Sequence, residues 1–204
     1  MAAPSVTDYV LYGAYAGEGL AITIGNGLLL LTILLEKSLR KRKEMRIIAV
    51  LCIADLVYGF GGLLLNGYRI LLMAFGLNTI PSTAWDCIKW PHSFLAQIGG
   101  QLTAFMNLAV SVDRLICVTF PVAYHKFGSR YATIFISAFF AYFFLSGATM
   151  LLSTYFQAPI FSKFNLLCVG APFAAWYVLY HYTFIVVAGA LDVIVYLGVF
   201  FSYR

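Results

Sequence analysis

The sequence predicts an all-α membrane protein, a single-domain bundle of five transmembrane helices. Composition is the first reason: 62% of the 204 residues are hydrophobic and 10% are charged, against about 25% charged in a soluble domain. Distribution is the second. Residues 90–112, 131–162 and 164–191 contain no Asp, Glu, Lys or Arg; 9–35 hold only Glu18, and 47–68 only Asp55. A helix needs roughly 20 apolar residues to cross the hydrocarbon layer, which gives spans at 10–35, 47–74, 90–118, 131–153 and 173–201. Barrel strands would be about 10 residues long and would alternate in polarity. The runs LLLLTILL (28–35) and FISAFFAYFFL (135–145) do not alternate. The third reason is the basic residues, which fall on one side.

The first span follows MAAPSVTD, which has no basic leader region, so it is expected to act as an uncleaved anchor. Its Gly13–Gly17 spacing allows close helix approach and carries no assigned function. Asn26 lies about 15 Å from its inner end at the rise of a helix. The loop that follows holds Lys37, Arg40, Lys41, Arg42, Lys43 and Arg46. Arg114, Lys126, Arg130 and Arg204 join them on one side, and Arg69, Lys89 and Lys163 fall on the other, ten against three. Basic loops stay in the cytoplasm, so the N-terminus is expected outside and the C-terminus inside. The net charge of +5 therefore reports topology. It excludes a nucleic-acid surface, since no basic face exists beyond the short inner loops, and places those loops against anionic lipid.

In the second span Asp55 sits roughly 13 Å deep. In the third, Thr103 lies about 15 Å above Asp113. Asn26, Asp55 and Thr103 thus share a level, and a buried carboxylate needs partners. We expect a polar network of these three, with a sodium ion at Asp55 as an additional partner; the alternative is interhelical glue with no signalling role. Arg69, near the outer end of the second span, is expected to snorkel to the interface, a ligand contact being the sharper alternative. Gln97 and Gln101, four apart, share one face of the third helix and are ligand-pocket candidates. His181 and Asp192 lie in the fifth span, and Asp192 is deep enough to require a partner that the sequence does not name.

Of four cysteines, Cys87 and Cys168 lie on the oxidising side, where a bridge between them is expected; two free interfacial thiols are the alternative. Cys52 and Cys117 face the reducing side. The third span ends at Asp113-Arg114, and Pro121 then stops the helix before Tyr124, His125 and Lys126. Adjacent opposite charges there neutralise each other and can be opened by a better partner. A simple stop signal would use Lys or Arg without the Asp. There is no Gly-x-Ser-x-Gly elbow, His-Glu-x-x-His or phosphate loop, so an enzyme is not expected. His92, His125 and His181 are scattered interfacial or packing residues.

Asp113-Arg114, with Pro121 seven and Tyr124 ten residues after the Arg, resembles the Asp-Arg-Tyr region and second inner loop of rhodopsin-like G-protein-coupled receptors. Gly25-Asn26 resembles the first-helix motif of that family, Leu51-Cys52-Ile53-Ala54-Asp55-Leu56 its second-helix motif, and Cys87 and Cys168 stand like its outer disulfide. The Asp-Arg-Leu variant and Gln-bearing third helix are most similar to nematode serpentine chemoreceptors of the Srsx type. The resemblance implies that the five helices correspond to the first five of a seven-helix receptor. It implies an extracellular small-molecule ligand, and a heterotrimeric G protein engaged through Asp113, Arg114, Pro121 and Tyr124. It implies a multi-pass position in the plasma membrane, and it admits a receptor dimer. Leu115 replaces the family's Tyr, the fourth span lacks its Trp, and the fifth lacks its mid-helix Pro. No Asp occupies the outer half of the third helix, which disfavours amine ligands. The sixth and seventh helices are absent from the sequence, so the expectation is a partial chain that does not signal alone. A five-span transporter or channel subunit, with Asp55 and Asp192 marking an ion path, is the alternative; the paired repeats and broken helices of transporters are not visible.

Overall fold

The computed structural model describes residues 5–161, 164–169 and 173–202. Lys163 and Arg204, counted above among the outer and inner charges, lie outside them. Five long helices carry the fold: α1 (Val6–Leu35), α3 (Lys43–Ala74), α5 (Pro91–Thr119), α7 (Ser129–Phe161) and α8 (Ala175–Ser202). Each contains a segment long and apolar enough to cross a membrane. Three short helices stand at the ends, α2 (Lys37–Lys41), α4 (Ala84–Lys89) and α6 (Pro121–Lys126). A two-residue antiparallel ladder pairs β1 (Pro81–Ser82) with β2 (Phe164–Asn165).

Local chemistry sets the helix ends. Ser5 and Asp8 form a reciprocal capping box at the start of α1, Asp8 N–H to Ser5 Oγ at 3.2 Å and Ser5 N–H to Asp8 Oδ2 at 2.9 Å. The Glu36 carboxylate accepts from Ser38 N–H at 3.1 Å and starts α2. Helix α3 closes with Gly76 at φ +67°, its N–H reaching Met73 O at 3.1 Å while Leu77 N–H reaches Leu72 O at 2.9 Å. That double turn needs a left-handed residue, and glycine takes it without a Cβ clash. Pro91 occupies the first position of α5 and Pro121 that of α6, where a missing N–H does no harm. Helix α7 runs to Phe161, past the expected end at 153. The expectation measured membrane thickness, and nothing in 151–156 breaks a helix.

Helix α5 is the centre. It packs on α3 and α8, α7 lies against α3 and α5, and α1 packs on α3. The main core joins Ile47, Val50 and Ala54 of α3, Ile98, Leu102, Met106 and Ala109 of α5, and Ala132 and Phe139 of α7. A second cluster at the opposite end joins Ile88, Met150, Ala174 and Tyr177. The outward faces are also apolar, with Leu28, Phe144, Val186 and Ile194 exposed. A helix that is hydrophobic all round belongs in lipid, where burying Leu against Leu gains little and close backbone approach holds helices together.

Glycine supplies that approach. A Cβ on Gly19 of α1 would stand 2.6 Å from Gly59 O of α3. One on Gly99 of α5 would stand 2.5 Å from Tyr58 Cα. One on Gly61 would stand 2.7 Å from the carbonyl carbon of Leu95. The Gly13–Gly17 spacing singled out in the sequence does not serve this purpose, since neither residue has anything within 4 Å of a Cβ position. Small-residue spacing marks a possible contact face, and the neighbouring helix decides which glycines it uses.

Gly61 and Gly62 therefore make a matched pair. Gly61→Ala pushes α3 away from α5 and should destabilise the bundle by about 1–3 kcal/mol, as overpacking does. Gly62→Ala has open space and should be neutral or slightly stabilising, since Ala is the better helix former. Thermal unfolding of the two variants in the same detergent checks this.

Candidate functional site

At the end of the bundle away from the basic loop, Cys87 of α4 is bridged to Cys168, with Cα atoms 5.6 Å apart. Of the two readings left open above, the disulfide is the one formed, while Cys52 and Cys117 remain free thiols. Arg69 donates from Nε to Leu167 O at 2.9 Å and from Nη2 to Cys168 O at 3.0 Å, and its guanidinium lies 5.3 Å from the ring centre of Tyr12. Arg69 reaches the outer end, as expected, and there it ties α3 and α1 to the bridged loop. Its flank also lines a cavity of about 360 Å³ beside Asn66 and Tyr15.

A larger cleft of about 500 Å³ opens between α3, α5 and α8, lined by Tyr58, Gln97, Thr103, Asn107, His181 and Asp192. Gln97 faces this cleft, as expected of a pocket residue. Gln101 does not line it, although it sits one turn away. It is 0% exposed and is the node of a polar network between α5, α7 and α8. Its Nε2 lies 2.9 Å from His181 Nδ1 and 3.3 Å from the Tyr177 hydroxyl. Its Oε1 accepts from Ser146 and, at 3.3 Å, from the Tyr142 hydroxyl, which lies 3.0 Å from the Tyr180 hydroxyl. With the amide donating, His181 accepts at Nδ1 and closes one side of the cleft. Gln101 thus holds the wall of the cleft without forming it. Its depth in a charge-free span already demanded partners; nothing in the spacing singles out Ser146 and the tyrosines of another helix pair.

The mid-membrane layer forms in part. Thr103 Oγ1 donates to Asp55 Oδ1 at 2.8 Å. The expected link from Asn26 is corrected. Its Nδ2 donates to Ile22 O of its own helix at 3.1 Å. Asn26 lies seven residues after Gly19, which packs on Gly59 of α3, and so shares that face; its amide is nonetheless spent on its own helix rather than on Asp55. Asp192, left without a partner above, accepts from Ser111 Oγ of α5.

At the basic end, four expected residues come together. Asp113 is 1% exposed, and Arg114 Nε stands 3.9 Å from its Oδ2, at the outer limit of an ion pair. The Tyr124 hydroxyl donates to Asp113 Oδ1 at 3.0 Å. Phe120, at φ −129° and ψ 61°, is the joint between α5 and α6, because the residue before a proline avoids helical geometry. Pro121 then starts α6 and carries the buried Tyr124 onto Asp113. Burial raises the Tyr124 phenol pKa far above its usual value, and the adjacent Asp113 charge raises it further. Tyr124 therefore stays a proton donor, and Asp113 keeps a fixed partner while its bond to Arg114 is loose.

A family model described as serpentine type 7TM GPCR chemoreceptor Srbc matches residues 17–198. That stretch takes in Asn26, Asp55, Asp113, Arg114, Cys168 and Asp192. The match is to Srbc and not to the Srsx type expected from the sequence motifs. No curated protein matches the chain.

The division between the two glutamines is testable. Gln101→Leu strands buried polar groups on α7 and α8 and should destabilise the bundle by about 1–3 kcal/mol for each group left unpaired. Gln97→Leu, facing open space, should fall within about 0.5 kcal/mol of the wild type, as surface substitutions do. Equilibrium unfolding in mixed micelles distinguishes them; equal effects would remove Gln101 from its place as node.

Proposed function

The chain belongs to the serpentine chemoreceptor family Srbc, and on that premise we propose that it senses a small extracellular molecule and passes the signal to a heterotrimeric G protein. The observation that carries the proposal is the buried Asp113–Tyr124 pair with Arg114 held loosely beside it. A partner offering Arg114 a better counter-charge can draw it away, since its side chain is 34% exposed. Asp113 keeps the Tyr124 hydrogen bond when that happens, so the rearrangement does not strand a buried carboxylate. The surface around Arg114, Pro121 and Tyr124 is our assignment for G-protein contact.

The family name counts seven spans, and five are found among the described residues. The cleft beside Gln97, Thr103 and His181 is our candidate for the ligand. A ligand shifts the equilibrium only by binding one arrangement of the helices better than the other. The cleft shares α5 with the Asp113-Arg114 doublet, so both sites act on the same helix. We assign the basic loop to the cytoplasm and the disulfide end to the outside of the plasma membrane. A sodium ion beside Asp55 belongs to the same proposal. The Asp55 carboxylate and Thr103 hydroxyl are oxygen donors of the kind a hard cation takes. The family is one of receptors, not enzymes. The transporter reading is not favoured, because Asp55 and Asp192 are each capped by a hydroxyl of α5.

Nucleotide exchange on a heterotrimeric G protein, driven by membranes in which this sequence is co-expressed with a sixth-and-seventh-helix fragment and screened with small odorant molecules, tests the proposal. Arg114→Ala should lower the ligand-stimulated rate at least about tenfold, within the range of allosteric couplings. An unchanged rate in Arg114→Ala, or cation flux in reconstituted vesicles that Asp55→Asn abolishes, would overturn it.

A further inference from the structure

The opening residue of α3 reaches across the basic end to the second inner loop. Lys43 donates from Nζ to Tyr124 O and, at 3.1 Å, to Phe127 O. Both carbonyls lie at the C-terminal end of α6, where a cation is favoured; Tyr124 O also accepts from Phe127 N–H at 3.1 Å. The same ammonium stands 3.8 Å from the ring centre of Tyr124, 5.8 Å from that of Phe127 and 6.0 Å from that of Tyr131. The Phe127 and Tyr131 rings stack at 5.1 Å, and Tyr124 meets Tyr131 edge-on at 5.9 Å. An ammonium has three N–H donors. Two are taken by carbonyls, and the aromatic faces receive the remaining charge.

We propose that Lys43 is the positioning residue of the second inner loop, a clasp that holds α6 so that the Tyr124 hydroxyl rests on Asp113. The sequence counted Lys43 only among the basic residues that orient the chain. Its neighbours Arg40, Lys41 and Arg42 do not share its contacts with α6. The clasp acts through Tyr124: Lys43 fixes the backbone carbonyl and ring of the residue whose hydroxyl binds Asp113, and Asp113 holds Arg114. Three helices, α3, α6 and α5, are thereby joined at one point. Release of Lys43 frees α6 from α3 and removes the constraint that keeps Tyr124 against Asp113. Such a release loosens the loop locally and leaves the membrane-spanning core intact, because the core residues Ile47, Val50 and Ala54 of α3 are held by Ile98, Leu102 and Met106 of α5 and Phe139 of α7.

This deepens the reading of the loop as a coupling surface, but its test does not depend on a G protein. Amide hydrogen exchange is measured on the full chain in lipid nanodiscs for the wild type, Lys43→Met, Lys43→Arg and Lys41→Met. Lys43→Met keeps the stem and removes the charge and its donors. The exchange of the Tyr124 and Phe127 amides should rise about tenfold in Lys43→Met, the factor expected for the loss of a net hydrogen-bond contribution. The amides of Cys52 to Leu56 in mid-α3 should not change. Lys43→Arg, which retains donors for the carbonyls, should stay within about threefold of the wild type, and Lys41→Met should match it. The proposal is overturned by unchanged loop exchange in Lys43→Met, by an equal rise in mid-α3 that signals general loss of packing, by Lys43→Arg behaving as Lys43→Met, or by Lys41→Met reproducing the effect. If the loop loosens as expected while Arg114→Ala leaves nucleotide exchange untouched, the clasp stands and the coupling assignment fails.

Discussion

No water reaches the hydrocarbon core of a bilayer, and a polar side chain placed there must find its partner in the protein. Helix α5 answers this constraint for most of the bundle. Gln101, Thr103, Ser111 and Asp113 lie along it, and each is joined to a different neighbour: the tyrosines and Ser146 of α7 and α8, Asp55 of α3, Asp192 of α8, and Tyr124 of α6. A rotation of α5 about its axis would disturb all of these together. The glycine contacts of Gly61 and Gly99 hold α5 against α3 through the same region. One helix therefore couples the packing of the core, the wall of the cleft and the charge doublet at the basic end.

The two ends of the bundle use different devices for the same purpose. At one end a disulfide and Arg69 secure the loop before α8. At the other no covalent link exists among the described residues. Lys43, the Tyr124 hydroxyl and the proline-set joint after Phe120 hold α6 with reversible contacts. The fixed end suits a surface that must present a constant shape to a ligand. The reversible end suits a surface that a partner must reopen. This asymmetry agrees with the family to which the chain belongs and with the sidedness inferred from its basic residues.

Much of this was legible in the sequence because it depends on position along a helix. Length and charge-free runs gave the five spans. Depth counted from the inner boundary brought Thr103 to the level of Asp55, and the motif at 113–124 marked Asp113, Arg114, Pro121 and Tyr124, although not the bond from Tyr124 to Asp113. What depends on side-chain conformation or on small rotations about the helix axis was not legible. Asn26 has the expected depth and shares a face with Gly19, yet its amide turns back on its own helix. Gln97 and Gln101 are one turn apart, and the small angle between them separates an open cleft from a buried network. Lys43 was hidden for another reason. Its role depends on a residue 81 positions away, and its charge already had a sufficient explanation in topology.

The central claim is that the Asp113–Tyr124–Arg114 unit stands at the cytoplasmic face, where a G protein can reach it. Val122 of α6 is 71% exposed beside this unit. Val122→Cys, with the free thiols Cys52 and Cys117 replaced by Ser, should resist a membrane-impermeant maleimide on intact cells and label fully after permeabilisation. Full labelling on intact cells would place the doublet on the outer surface and contradict the account.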